Sequence, residues 1–449
     1  MKTTRFVLAC VGILASLLTS QADAATSTTG AADQAQLVKE GAYLARLGDC
    51  VACHTAKGGK PFAGGLPIDS GLGTIYSTNI TPDRAHGIGA YTEAQFGDAL
   101  RHGKRADGSN LYPAMPYTSY SKVSDADVHA LYAFFMQGVA PVATTPPQTD
   151  LSFPFNQRWG LSLWNWAFAD RTPFSAPDGA SAQVARGAYI VEGLGHCSSC
   201  HTARGFAMQE KSRPGDNGFL SGAYLNRWLA PSLRAAGKPG DRGVAGWTHA
   251  ELVDYLGSGR NTHAAVTGEM KDVIAHSTSW FNDDDLSAVA AYLKTLPASA
   301  QASVADASGA RQQTQAKLTA AKNLTLGERL FLDNCAACHA VTGQGAARVF
   351  PSLAGNSTVN ASDPTGLLHV MLAGASMPST VRSPSALPMP GFAVRLSDDE
   401  AAQLATFVRS GWGNRGAAVT ASDVEKIRAS LPKPGTLTAG DAHHPAGVQ

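Results

Sequence analysis

Three copies of the pattern Cys-x-x-Cys-His constrain this chain more than any other feature. They are Cys50-Val51-Ala52-Cys53-His54, Cys197-Ser198-Ser199-Cys200-His201 and Cys335-Ala336-Ala337-Cys338-His339. In this pattern the two thiols bond a c-type haem covalently, and the histidine that follows them donates a nitrogen to the iron. The copies lie roughly 140 residues apart, which is the length expected of one domain. The sequence therefore predicts three covalently bound haems.

Two other interpretations of a Cys-x-x-Cys pair fit less well. A thioredoxin-like redox pair lacks the trailing histidine and belongs to a βαβ pattern. A zinc site needs a second pair of Cys or His ligands nearby, and no copy has one in its sequence neighbourhood. A zinc-binding scaffold would also show no haem absorption, so an absorption spectrum distinguishes it from a haem protein.

The composition indicates a globular chain. It has 449 residues, of which 44% are hydrophobic and 16% charged, and this length is enough for about three domains. The 36 Lys and Arg residues nearly balance the 35 Asp and Glu residues, which leaves a net charge of +1. Because proteins that bind nucleic acid carry a strongly basic face, we expect no nucleic acid partner.

The N-terminus has the pattern of a signal peptide over residues 1–24. Two basic residues precede an apolar run from Phe6 to Leu18, which is too short to span a bilayer. Ala22-Asp23-Ala24 then supplies small residues for cleavage. We expect export to the periplasmic side of the cytoplasmic membrane, where bacterial c-type haem is attached. A retained anchor or lipidation at Cys10 is the alternative, although Cys10 lies deep in the apolar run.

The same series of predicted helices surrounds each Cys-x-x-Cys-His motif. A leading helix before the motif contains a glycine, at Gly41, Gly187 and Gly327. Glycine costs about 1 kcal/mol in a helix interior, so its recurrence predicts a close crossing with a second helix. The expected partner is a closing helix that begins with acidic capping residues and carries an aromatic residue to fill the notch. The closing helices contain Leu131–Phe135, Val289–Leu293 and Leu404–Val408.

A third, middle helix is predicted in each repeat, and a turn that contains proline precedes it. The middle helices are predicted over residues 92–100, 248–256 and 363–372. The carbonyl of Pro82, Pro231 or Pro351 could accept the ring N–H of the iron-binding histidine, which would fix the ring and raise its basicity. A simple turn proline is the alternative.

The fold is predicted to be all-α, because no strand-like alternation of any length occurs. No later stretch reaches the 18 or so apolar residues of a transmembrane helix. Stretches rich in Pro, Thr, Ala, Ser or Gln separate the repeats. The predicted organisation is a signal peptide at 1–24, domains at 25–145, 183–298 and 319–431, an aromatic linker at 146–182, a second linker at 299–318 and a disordered tail at 432–449.

One methionine follows the middle helix in each repeat and is the candidate for the second axial iron ligand. These residues are Met115, Met270 and Met389, and Met377 competes with Met389 in the third repeat. Thioether ligation opposite histidine is the usual arrangement of an electron-transfer haem and raises its potential. A methionine that only fills a gap in the core is the alternative. Iron held on both sides, with no catalytic residue in evidence, favours electron transfer over substrate chemistry.

Several stretches together resemble a known family. They are Gly48–Thr55, Ser77–Asp83, Tyr112–Tyr117, Gly195–Cys197, Ala275–Thr278, Met389–Phe392 and Ser410–Asn414. The sequence is similar to the triheme cytochrome c subunit of membrane-bound bacterial dehydrogenases that oxidise alcohol, gluconate, sorbitol or fructose. The similarity runs from about Leu37 to about Ile427 and is specific for the subunit type but not for the substrate.

This resemblance implies the fold, the partner and the electron acceptor. The fold would be three tandem class I-like cytochrome c domains. A large catalytic subunit with pyrroloquinoline quinone or flavin would oxidise the substrate, with or without a small third subunit, and ubiquinone would receive the electrons. The implied covalent haem residues are Cys50, Cys53, Cys197, Cys200, Cys335 and Cys338. The implied axial ligands are His54, His201, His339, Met115, Met270 and Met389.

The stretch from Phe155 to Phe168 is rich in aromatic residues at helical spacing. One face carries Phe155, Trp159, Leu163 and Trp166, which is how helices that lie in a membrane interface present Trp and Phe. A linker buried between the first two domains is the alternative. A peripheral membrane contact therefore stays open at this point.

Two other functions compete with an electron-transfer subunit. A multihaem peroxidase-like enzyme would keep one iron open and place an acid or base beside it. A free-standing periplasmic electron shuttle would have the same haems but no catalytic partner. Binding of carbon monoxide would distinguish the peroxidase-like enzyme from an electron-transfer subunit. Co-purification of a large subunit would distinguish the electron-transfer subunit from a free-standing shuttle.

Overall fold

The computed structural model describes residues 32–225, 227–234, 243–244, 246–297 and 308–431. The predicted signal peptide and the predicted tail lie outside the described residues. In the part of the chain that is described, no helix has the length and apolar character needed to cross a membrane.

The chain divides into two compact units. Within the described residues, the first runs over 32–45, Cys53–Ala114 and Ser124–Asn156. The second contains Arg46–Ala52, Met115–Val123 and the described residues from Gln157 onward. The second and third Cys-x-x-Cys-His motifs therefore belong to one unit, and a separate domain for each motif stays a prediction.

Helices dominate the described residues. Up to the end of the second motif they are α1 (32–47), α2 (Cys50–Cys53), α3 (Glu93–His102), α4 (Tyr117–Tyr120), α5 (Asp125–Ala133), α6 (Gly160–Phe168), α7 (Ala182–Tyr189) and α8 (Ser198–His201). The later ones are α9 (His249–Ser258), α10 (Met270–His276), α11 (Asp283–Thr295), α12 (Ser308–Ala320), α13 (Leu326–Asn334), α14 (Ala336–His339), α15 (Ser357–Asn360), α16 (Thr365–Ala373), α17 (Asp398–Ser410) and α18 (Ala421–Ser430). Wider π turns at Phe134–Gly138 and Ile190–Leu194 extend α5 and α7, and short 3₁₀ turns cover Thr278–Trp280 and Gly411–Gly413.

The described strands are short, antiparallel and confined to loops between helices. They are β1 (Pro67–Asp69), β2 (Gly73–Tyr76), β3 (Asp150–Leu151), β4 (Ala223–Leu225), β5 (Trp228–Ala230), β6 (Ala375–Ser376) and β7 (Pro388–Met389). The first three form one sheet in the order β1-β2-β3, and the others pair as β4-β5 and β6-β7. Their shortness explains why no alternating pattern is visible in the sequence, since two to four residues cannot establish a period of two.

The glycines of the leading helices mark close helix crossings, as predicted. A Cβ atom at any of the three would overlap a carbonyl of the closing helix, so only glycine lets the two backbones approach this far. The predicted aromatic residue lies beside each notch, with its own Cβ 2.7–3.0 Å from that added atom. The contacts are Gly41 with Ala130 and Phe134, Gly187 with Ala288 and Tyr292, and Gly327 with Gln403 and Phe407.

The closing helices begin where the acidic residues predicted. Ser124, Asn282 and Ser397 each accept a hydrogen bond from the backbone N–H three residues further on. The carboxylates of the first turn then lie next to the positive end of the helix dipole. Local capping chemistry therefore fixes the start of α5, α11 and α17.

Part of the predicted 299–318 linker is helical. The helix α12 begins at Ser308 and buries Leu318, which is 2% exposed, against the core around Phe331. The Nζ atom of Lys317 lies 2.7 Å from a carboxylate oxygen of Glu328. A polar composition suggested a linker, but a helix that buries only one apolar residue needs little hydrophobic sequence.

Candidate haem-binding sites

The second motif opens into a large cavity within the second unit. The cavity has a volume of about 770 Å³, and Cys197, Cys200, His201 and Met270 all line it. Volumes of roughly 300–1,000 Å³ are typical of cofactor and ligand pockets. Apolar side chains make up much of the wall, among them Leu225, Leu229, Leu252, Leu256, Val289 and Leu293. Two thiols, an imidazole and a thioether around an apolar space form the donor set that a c-type haem requires.

The histidine of the motif is held by a backbone carbonyl. The Nδ1 atom of His201 lies 2.6 Å from the carbonyl oxygen of Pro231, and that of His339 lies 3.0 Å from the oxygen of Pro351. The prediction that a proline carbonyl holds the ring N–H is confirmed at these two motifs. With Nδ1–H donating, Nε2 is the ring nitrogen that can bind a metal ion.

The first motif uses a different acceptor. The Nδ1 atom of His54 lies 2.7 Å from the carbonyl oxygen of Thr78, so the prediction of Pro82 is wrong here. The carbonyl of Pro82 instead faces Gly89, where an added Cβ atom would overlap it. The physical requirement, a carbonyl that orients the ring, is met by a residue that carries no sequence signal.

The three histidines are poised as neutral ligands. Burial lowers the pKa of His54, His201 and His339, and the hydrogen bond to a carbonyl only partly opposes it. A neutral imidazole has the lone pair that a metal ion needs. Burial also raises the pKa of the Cys197 thiol to about 12, with a smaller contribution from Cys200.

The candidate methionines of the second and third repeats lie in different settings. Met270 begins α10 and lines the same cavity as His201. Met389 lies in β7 and packs against the core of the third repeat together with Cys335. The rival Met377 is buried, and its sulfur lies 3.7 Å from Nη1 of Arg260. That sulfur accepts a hydrogen bond from Arg260, and the choice between Met389 and Met377 as an iron ligand stays a prediction.

Met115 and His54 belong to different units. Met115 begins the short segment Met115–Val123 of the second unit, whereas His54 belongs to the first. Pairing of these two residues across one iron therefore stays a prediction.

Two charged residues that sequence reasoning missed also line the cavity beside Cys197. They are Asp49 and Arg311, and each has a buried polar atom with no hydrogen-bond partner among the described residues, Oδ1 of Asp49 and Nε of Arg311. Asp49 precedes Cys50, and Arg311 lies in the predicted linker. Asp49 lies in the stretch Gly48–Thr55 that carries the family resemblance, but only the folded chain brings it and Arg311 to the wall of this cavity.

His196 lies at the same wall. Burial lowers its pKa to about 4, so the ring is neutral at ordinary pH. Its ring packs edge-on against Tyr120 at a centroid distance of 5.7 Å. His196 is therefore a buried, neutral side chain next to Cys197.

Replacement of Asp49 with asparagine is expected to raise the free energy of unfolding of the second unit relative to the unmodified protein. This difference should grow as pH rises. Burial raises the pKa of Asp49 well above its ordinary value, with a further increase from Asp272 that Arg46 opposes. A carboxyl whose pKa is higher in the folded than in the unfolded state lowers the free energy of unfolding of the protein as pH rises from the unfolded-state pKa to the folded-state pKa. The gap in the free energy of unfolding between Asp49→Asn and the unmodified protein should therefore widen from acidic to neutral pH.

Urea unfolding at several pH values measures this gap. The exposed Asp178 provides the control, because Asp178→Asn removes a carboxyl that is not buried and should change stability little. A gap for Asp49→Asn that stays constant with pH would contradict the expected burial penalty.

The aromatic stretch forms α6 and has two different faces. Trp159, Leu163 and Trp166 are 77%, 66% and 82% exposed, and their spacing places them on one face of a helix. Trp164 faces inward instead, where its Nε1–H donates to the carbonyl of Ala207 at 2.8 Å. We call Trp159, Leu163 and Trp166 the aromatic patch.

Comparison with known proteins identifies the family. The cytochrome c sequence family matches residues 38–138 and 324–412. Over 405 residues the chain is 48% identical to the alcohol dehydrogenase (quinone), cytochrome c subunit, of Gluconobacter oxydans, with 88% of this chain and 83% of that protein covered. The chain belongs to the family of dehydrogenase cytochrome c subunits. This confirms the resemblance found in the sequence.

Two further members show the breadth of the dehydrogenase cytochrome c subunit family. The gluconate 2-dehydrogenase cytochrome c subunit of Pantoea cypripedii is 44% identical over 415 residues, with 88% of this chain and 91% of that protein covered. The fructose dehydrogenase cytochrome subunit of Gluconobacter japonicus is 37% identical over 432 residues, with 90% and 85% covered. Cytochrome c domains bind c-type haem covalently, so this dehydrogenase cytochrome c subunit carries that cofactor.

Proposed function

We propose that this chain is a three-haem electron-transfer subunit. Cys50 and Cys53, Cys197 and Cys200, and Cys335 and Cys338 would each bond one haem. The axial ligands would be His54, His201 and His339 on one side of the irons and Met115, Met270 and Met389 on the other. The haems supply reversible one-electron chemistry, and no substrate bond is made or broken on this chain.

The observation that supports the proposal most strongly is the cavity beside the second motif. It brings Cys197, Cys200, His201 and Met270 around one apolar space. The His201 ring is oriented by the Pro231 carbonyl at 2.6 Å, and an apolar surrounding keeps water from the metal and raises its potential. These residues hold the cofactor, orient its ligand and exclude solvent, which is what an electron carrier requires.

The proposed partner is a large catalytic dehydrogenase subunit that contains pyrroloquinoline quinone or flavin. The names of the relatives, which are cytochrome subunits of alcohol, gluconate and fructose dehydrogenases, support this assignment. A small third subunit would complete some of these assemblies. Electrons would leave the chain to ubiquinone at the periplasmic side of the cytoplasmic membrane, where a signal peptide over residues 1–24 would deliver it.

Mass spectrometry of the exported chain tests the number of haems. We expect the mass of the chain without residues 1–24 plus three haems. Carbon monoxide added to the reduced protein should bind poorly, because each iron has two protein ligands. A mass with fewer haems would overturn the three-haem proposal, and stoichiometric carbon monoxide binding would favour a peroxidase-like enzyme with one open iron.

The aromatic patch is proposed to attach the subunit to the membrane surface. Exposed Trp and Leu on one helix face bind the interface between lipid head groups and acyl chains. Replacement of Trp159 and Trp166 with serine is expected to move most of the protein from the membrane fraction to the soluble fraction. Fractionation of cells by centrifugation, with haem absorption as the readout, measures this change.

Two exposed valines provide a matched control for the patch. Val381 and Val394 are 82% and 84% exposed in the same unit. The variant Val381→Ser with Val394→Ser should remain in the membrane fraction. If both double variants behave alike while haem absorption is normal, α6 does not anchor the subunit.

A further inference from the structure

The helix α12 contributes to a cavity that belongs to a different repeat. Arg311, in its first turns, lines the cavity beside Cys197 and His201. This cavity contains the motif of the second repeat, whereas α12 leads into the third. The helix α12 therefore places the cation of Arg311 at the wall of the cavity beside the second motif, although α12 itself precedes the third motif.

The position of α12 is fixed by the third repeat. The backbone N–H of Trp412 donates to Oγ1 of Thr314 at 3.0 Å, and Leu318 is buried in the core that contains Phe331. The ion pair between Lys317 and Glu328 adds a third attachment. Arg311 is consequently held in place by a rigid helix rather than by a loop.

The guanidinium of Arg311 has an unused donor. Its Nε atom is buried and has no hydrogen-bond partner among the described residues. A buried N–H of a charged group that makes no hydrogen bond is costly, because its lost hydration is not replaced. Because guanidinium pairs best with carboxylate or phosphate, this free donor suits the cavity to a ligand that carries an anionic group.

Polar side chains interrupt the apolar wall of the cavity. The third repeat supplies Gln344, Ser352, Asn356, Ser357 and Thr358 to it. The second repeat supplies the two cysteines, and the charges that act on the pKa of Cys200, after burial, are those of Arg204, Glu269, Glu210 and Asp49.

Two thiols, an apolar wall and a cation with a free donor match the chemistry of a c-type haem. The ring is apolar and is bonded through thioethers at one edge, and its two propionate carboxylates lie at the opposite edge. We propose that Arg311 binds a propionate of the haem attached at Cys197 and Cys200, and so clamps the cofactor of the second repeat from the third. This inference rests on the proposed haem at that motif.

The clamp has a consequence for the redox potential. A cation near a haem favours the reduced form, and pairing with a propionate removes a negative charge that would favour the oxidised form. Loss of Arg311 should therefore lower the midpoint potential of one haem and leave the other two unchanged. The propionate, once released, should take up a proton more readily, so that this potential becomes dependent on pH.

A potentiometric titration of the full-length holoprotein, followed by haem absorption, tests the proposal. In Arg311→Gln we expect one midpoint to fall by about 59 mV, which for a one-electron couple is about a tenfold change in the oxidised-to-reduced ratio. The same midpoint should fall further as pH rises from mildly acidic to neutral. Arg311→Lys keeps the charge and should restore part of the shift. The matched control is Arg329→Gln, which removes the charge of an exposed arginine on α13 and should change no midpoint.

The outcomes separate this inference from the proposed function. Unchanged midpoints and unchanged pH dependence in Arg311→Gln, with a normal haem mass, would overturn the clamp and leave the three-haem function standing. A wild-type chain with no haem mass at Cys197 would overturn the function itself. Should Arg311→Gln fail to accumulate, the infrared difference spectrum between reduced and oxidised Arg311→Lys decides the matter. A propionate band displaced from its wild-type frequency supports the clamp, and an identical band overturns it.

Discussion

Replacement of Met270 with alanine is expected to open one iron to external ligands. Met270 lines the same cavity as His201 and Cys197, and it is proposed to supply the second axial ligand there. Alanine cannot reach or bond the metal, so the reduced variant should bind carbon monoxide at one haem, whereas the unmodified protein binds almost none. The midpoint potential of that haem should also fall, because thioether ligation favours reduced iron. Absorption spectroscopy during a carbon monoxide titration measures both the number of open sites and their affinity.

Met208 offers a suitable control for this prediction. Its side chain is 46% exposed, and it is not among the residues that line the cavity. Met208→Ala should bind no more carbon monoxide than the unmodified protein. If Met270→Ala also binds none and keeps its sulfur-to-iron absorption band, a different residue holds the iron in the second repeat.

The second large effect is expected at Gly187. A Cβ atom at this position would overlap the carbonyl of Ala288 and lie 2.9 Å from the Cβ atom of Tyr292. In Gly187→Ala the helices α7 and α11 must therefore move apart, and overpacking of this kind costs roughly 1–3 kcal/mol. We expect the urea midpoint of the second unit to fall accordingly, with haem absorption and far-ultraviolet circular dichroism as the two readouts.

Gly309 shows what the same substitution does without a crossing helix. An added Cβ atom there meets nothing within 4 Å, and alanine is favoured over glycine in a helix by up to about 1 kcal/mol. Gly309→Ala should leave the stability unchanged or raise it slightly. Equal losses in both variants would show that the helix crossing at Gly187 is not the source of the destabilisation.

Features encoded by neighbouring residues could be read from the sequence. The Cys-x-x-Cys-His motifs and the acidic starts of α5 and α11 depend on residues a few positions apart, because haem attachment and helix capping are local chemistry. The helix crossings join distant residues, but the glycine that permits each crossing recurs at the same place in every repeat.

Features that arise from distant parts of the chain could not be predicted from the sequence. The acceptor for His54 is the carbonyl of Thr78, and a backbone carbonyl has no signature in the side-chain sequence. Arg311 reaches the cavity of the second repeat only because α12 packs on the third, and its polar neighbours resembled a linker. Asp49 is likewise an ordinary residue until folding buries it.

The contact between Arg260 and the third repeat limits how this protein can be shortened. The Arg260 side chain is 6% exposed, and its Nε donates to Oγ of Ser383 at 2.7 Å while Nη2 donates to the carbonyl of Ser385 at 3.2 Å. A truncation that removed the third repeat would strip a buried guanidinium of these acceptors, and an unsatisfied charged donor is among the most costly defects in a protein interior. A miniature electron carrier, for instance one intended for coating an electrode, would thus have to keep these two repeats together or replace Arg260 with an apolar residue.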